Sequence, residues 1–182
     1  MVYVYGHYYL RYAFVYLARV FGRSGAFLPS PFPLLTSLVF VLSTPAHALP
    51  SHFADKVEAA LTCRSEWSTD WWRSYFRQHL NAPVRVWGEA EWFNGQSAEL
   101  AGNRAQELFV NVPESGALMV GALINSPAAS VRKNIEEKMG IRFVEIPGPY
   151  PRFLSQFGSV LVHVSAEQSK WYCARWNLGN RP

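Results

Sequence analysis

The chain has two cysteines, Cys63 and Cys173, and whether they pair decides how much freedom the residues between them keep. Thiols pair in oxidising compartments and stay reduced in the cytosol, so the question turns on the amino end. Leu34 to Leu42, LLTSLVFVL, is a short apolar run that breaks at Ser-Thr-Pro and is followed at once by Ala46-His47-Ala48. Small side chains at this spacing are what the groove of a signal peptidase admits, and the run falls short of the about 20 apolar residues of a membrane span. Pro29, Pro31, Pro33 and Pro45 would interrupt any longer helix drawn through it.

We read residues 1–48 as an export leader cleaved before Leu49, with a retained inner-membrane tether as the alternative. The first 19 residues are rich in tyrosine, and a start at Val20 would leave a leader of ordinary size with Arg23 as its positive charge. The remainder, Leu49 to Pro182, is then periplasmic or secreted and of single-domain size. A Cys63–Cys173 disulfide is expected there, closing a loop of roughly 110 residues worth somewhat under about 5 kcal/mol in the chain-entropy account.

Charge is unevenly spread. The sequence carries 17 basic and 13 acidic residues, but Arg11, Arg19 and Arg23 lie in the leader and no acidic residue precedes Asp55. The later part is nearly neutral with its charges interleaved, whereas a nucleic-acid binder shows a basic patch or stripe. No nucleic-acid partner is expected, and a membrane is expected to be met only through an uncleaved leader.

Periodicity supplies the elements. Phe53, Val57, Ala60 and Leu61 share one face of a helix. Asp70 to Leu80, starting as early as Glu66, reads as a second helix whose apolar arc holds Trp67, Trp71, Trp72, Tyr75 and Phe76. From Pro83 to Phe93 the period is two, which reads as one half-buried strand with Arg85, Trp87, Glu89 and Glu91 on a common side. Asn94-Gly95 is a favoured hairpin turn, pairing that strand with Ser97 to Gly102. A further hairpin joins Glu107–Val112 to Gly116–Ile124 around Pro113 to Gly116. Ser126-Pro127 opens a helix with Val131, Ile135 and Met139 inward, which Gly140 stops. Strands follow at Ile141–Ile146, Ser159–Ser165 and Lys170–Trp176, with Pro147 to Pro151 as a loop. The expected class is α+β: an antiparallel sheet of about six to seven strands, two amino-terminal helices and one central helix, tied by one disulfide.

Chemistry is sparse. After Leu49 the imidazoles are His52, His79 and His163 and the aspartates Asp55 and Asp70. No nucleophile elbow, C-x-x-C, paired metal-ligand histidines or glycine-rich phosphate loop occurs, so neither catalysis nor a cofactor nor a metal is called for. Glu89 and Glu91, about 7 Å apart on one strand face, fall in the range of an inverting glycosidase pair. With His163 they define the alternative function, a small-ligand or glycan-binding domain or weak hydrolase.

All seven tryptophans follow residue 48. Trp, Tyr and Arg dominate binding hot spots, which makes Trp71, Trp72, Arg85 and Trp87 one candidate contact surface and the loop of Tyr150 with Arg152 a second. The function expected is a small exported domain that binds another protein of the envelope or exterior. Protein inhibitors and immunity proteins of bacterial envelopes share this size and build, an analogy of fold that carries no residue across. Intact mass without reductant, on protein from an expressing bacterium, should give a chain beginning at Leu49 and two hydrogens lighter than its reduced form. Free thiols on a chain retaining earlier residues would refute both export and the bridge.

Overall fold

The computed structural model describes residues 48–95, 98–148 and 152–176. The leader before Ala48 and Tyr150 lie outside them. Helix α1, Phe53–Leu61, buries Phe53, Val57, Ala60 and Leu61, the four residues that share its apolar face. Thr62 closes it, its hydroxyl donating to Glu58 O at 2.7 Å, and Cys63 then turns the chain at φ +61°. Helix α2, Thr69–Leu80, begins three residues later than its earliest reading. Ser68 is the cap: it accepts from the Trp71 amide, and the helix buries Trp72, Tyr75, Phe76 and Leu80.

The alternation after Pro83 is two strands, not one. β1, Arg85–Trp87, reverses through Gly88-Glu89 into β2, Ala90–Asn94, with Trp87 opposite Ala90 and Arg85 opposite Trp92. Both turn residues have φ near +60°, as a two-residue turn matched to strand twist requires. Gly88 adopts this freely; Glu89 does not. Asn94-Gly95 is not the hairpin turn. The Gly95 amide donates to Gln106 O, so the chain is still in register with its neighbour there. The reversal falls at Ala101-Gly102, which joins β3, Glu99–Leu100, to β4, Asn103–Asn111.

β4 pairs with β5, Ala117–Ile124, around the expected turn, one 3-10 turn at Pro113–Ser115 closed by Gly116 at φ +71°. Helix α3, Ala128–Met139, is capped by Pro127; the Ser126 hydroxyl donates to Asn125 O instead of capping. Val131 and Ile135 are buried, and Met139 packs half-buried at the margin. β6, Phe143–Ile146, pairs with β7, Arg152–Ser155, a short strand that periodicity did not separate from its loop. β8, Val160–Ser165, and β9, Gln168–Trp176, complete the described chain.

These nine strands form one antiparallel sheet, more strands than expected, in the order β1-β2-β4-β5-β9-β8-β7-β6 with β3 beside β4. The cluster that packs on α1, α2 and α3 takes Phe93, Leu108, Val110, Val120, Ala122, Leu161 and Trp171 from the sheet. The register puts all seven on one face, so the three helices cover a single side. The Cys63–Cys173 disulfide forms as expected, with Cα atoms 5.2 Å apart, and fastens the end of α1 to β9. On the opposite face Phe109 lies across Gly121, where an added Cβ would come within 1.9 Å of its ring. Gly121→Ala should cost about 1–3 kcal/mol in urea unfolding through this overpacking; an unchanged midpoint would mean the ring moves aside freely.

Candidate functional site

No described helix covers the far side of the sheet, and its side chains can be read off the register in rows. One row runs Ile146, Arg152, Val162, Lys170, Leu123 and Glu107; the next runs Val144, Leu154, Val160, Tyr172, Gly121, Phe109, Trp92 and Arg85. Apolar residues make up half of the first row and nearly all of the second.

At the β1 end this face builds its own small core. Trp92 stacks on Phe109 with centroids 4.5 Å apart, and both are buried together with Ala90 and Leu123. The Trp92 indole donates to Trp87 O at 3.0 Å, which holds the β1 turn down on the stack. Trp87 itself is 61% exposed. The Arg85 guanidinium sits 4.3 Å from the Trp92 centroid and donates two hydrogen bonds to Glu107, at 2.6 and 3.2 Å. The Lys170 ammonium lies 5.3 Å from Trp92, 5.5 Å from Phe109 and 5.9 Å from Trp87. Burial, and secondarily the Arg85 charge, push the Lys170 pKa down. Its charge is stabilised by ring quadrupoles, since among the described residues no carboxylate pairs with it.

Toward β6 the same face carries an apolar plate of Tyr172, Val160, Val162, Leu154, Val144 and Ile146. Val144 is 66% and Leu154 38% exposed. Arg152 stands exposed in this plate, near enough to Tyr172 to oppose the upward pKa shift that burial gives the phenol.

The expected surface thus divides. Arg85 and Trp87 do share a face, and Arg152 belongs to the same sheet side, but Trp72 is fully buried under the helices and is no contact residue. Trp71 is half-buried in a ladder, Trp67, Trp71, Tyr75 and His79, with centroids 3.9, 4.8 and 4.5 Å apart along α2. Lys56 lies 4.3 Å over Trp67, so the ladder's ring faces are largely occupied from within. It knits α1 to α2 on the layer opposite Trp87.

Glu89 and Glu91 do not share a strand face either. Glu89 sits in the β1–β2 turn, while Glu91 points to the helix side, 4% exposed beneath α2. Arg73 reaches it at 2.5 Å and Arg77 at 2.7 and 3.2 Å. Burial pushes the Glu91 carboxyl up, but the hydrogen bonds of Arg77 and Arg73 outweigh this and hold it below the usual carboxylate range. His163 is exposed on β8, four strand spacings or about 19 Å from β2. The three residues of the alternative reading do not converge.

Lys170, Tyr172 and the valines of β8 escaped the sequence reading. Their signal was available in VLVHV, where Val160, Val162 and Val164 alternate with the buried Leu161, because a strand apolar on both sides has two faces to cover. Among the described residues no helix is long and apolar enough to cross a membrane. Comparison with protein-family models, curated proteins and solved structures finds no match for this chain.

Because the folded Glu91 pKa lies below its unfolded value, its contribution is present above the unfolded value, about pH 4.3, and is lost as pH falls through the lower folded one. Glu91→Gln should therefore lose about 1–3 kcal/mol at neutral pH by urea unfolding, with the gap to wild type narrowing at about pH 3. A gap independent of pH would show that the two arginines do not depend on its charge.

Proposed function

We propose that the chain from Leu49 onward is a small exported domain, periplasmic or secreted, that works by binding another protein through the helix-free face of its sheet. One observation carries this: a sheet face that bears no described helix presents Trp87, Tyr172, Leu154, Val144, Val160 and Val162 beside Arg85, Arg152 and Lys170. Sheet faces of this composition are ordinarily buried against another layer, and extended apolar patches on a soluble surface mark interaction sites. Exposed aromatic and arginine side chains are the residue types that anchor protein partners, whereas a small ligand needs a concave pocket. Export is supported by the apolar run ending at Ala46-His47-Ala48 and agrees with a formed bridge. A retained leader would tether the same domain to the inner membrane.

Photo-crosslinking in the expressing bacterium tests this. A crosslinker replacing Leu154 should trap a discrete protein adduct, and one replacing Lys133 on α3 should not. Trp87→Ala should weaken the affinity for the trapped protein roughly tenfold or more. Equal adducts from both positions, or none from Leu154, would refute the reading.

A further inference from the structure

The row containing Arg152 carries more about the partner than apolarity does. Arg152 and Lys170 flank Val162 on adjacent strands, so they stand two strand spacings, about 9.5 Å, apart along a line crossing β7, β8 and β9. Neither has a carboxylate partner among the described residues, and the carboxylate that shares their face, Glu107, is taken by Arg85. Beside them the parallel row of Val144, Leu154, Val160 and Tyr172 offers an apolar strip about one residue pair away along the strands.

Resting on the reading above, we infer that the partner lays an amphipathic helix across β6 to β9, with two carboxylates two turns apart, at i and i+7, set on Arg152 and Lys170. The spacing fits. Seven helical residues rise about 10.5 Å and return to nearly the same angular position, so both carboxylates project from one flank while the apolar stripe meets the valine and leucine row. A strand added at a sheet edge would leave this plate uncovered. A second copy of the chain would bring the same excess of cations face to face, which like-charge repulsion opposes.

Binding to the unreduced chain would be measured with a designed amphipathic helical peptide bearing leucines on one face and two glutamates seven residues apart. A twin with lysines at those two positions and vesicles of anionic phospholipid serve as comparisons. The glutamate peptide should bind roughly tenfold tighter than its lysine twin, with the preference falling as salt rises. In the variant carrying Arg152→Glu and Lys170→Glu the preference should invert. Because Lys170 is half-buried, exposed Arg152→Glu alone provides a second arm, expected to cut the preference about threefold to fivefold. Absence of peptide binding, a preference that survives the charge reversal, vesicle binding without peptide binding, or concentration-dependent dimerisation would each overturn the inference. If crosslinking from Leu154 still traps a protein while the peptides are not distinguished, the docking face stands and the acidic helix falls; if crosslinking fails too, both fall.

Discussion

Among the described strands, β9 joins two halves that do not otherwise pair. β1, β2, β4 and β5 form a continuous antiparallel ribbon, β6, β7 and β8 form another, and Gln168–Trp176 lies between them, paired with β5 along eight residues and with β8 on its other side. Its alternation then serves two cores at once. Trp171 and Cys173 face the helices, where the indole donates to Ser159 at 2.7 Å and the sulfur bonds to Cys63. Lys170 and Tyr172 face the other way, into the helix-free plate. The disulfide is placed where it matters to this arrangement, since it ties the strand that unites the sheet to the first helix laid over it. Arg175 strengthens the same junction by donating to the carbonyls of Cys63 and Ser65.

The two faces treat charge differently, and that difference separates structure from candidate function. Under the helices a carboxylate has been brought in and two arginines surround it, so Glu91 is satisfied and has little left to offer a ligand. On the open face Arg85 and Lys170 rest on aromatic rings and Arg152 stands among aliphatic side chains, and among the described residues only Arg85 of these three has an acidic partner. A buried charge with a full complement of hydrogen bonds stabilises the fold. A half-buried cation with only ring faces for company retains capacity for an incoming anion.

Local chemistry made the helices and the bridge legible. The spacing of Phe53, Val57, Ala60 and Leu61 admits one burial pattern, Gly140 ends α3 in the left-handed region as its position implies, and the Arg132–Glu136 pair forms four residues apart at 2.9 Å. The strands after Pro83 are not separable by periodicity, because period-two alternation runs through a two-residue turn without a visible break and gives Glu89 the pattern of a strand residue. The consequence reaches the site: reversing at Gly88-Glu89 exchanges the faces of everything after it, which removes Glu91 from the side of Trp87 and brings Trp92 there instead. Asn94-Gly95 misled for a complementary reason, since turn propensity cannot show that β2 will find its partner in β4 and continue past it. The open face itself depends on strands far apart in sequence lying side by side, and short-range periodicity does not contain that information.

The order of strands also sets a timetable. Any chain delivered amino end first, from a ribosome or through a membrane pore, presents β1 to β5 long before Gln168–Trp176 is available, and β5 must wait with one side of its backbone unpaired. Such an edge is a template for the wrong neighbour until the right one arrives. Its eight residues, ALMVGALI, contain no charge or proline to discourage intruders. For this protein the exposed interval of assembly is the one in which ALMVGALI has β4 on one side and nothing yet on the other.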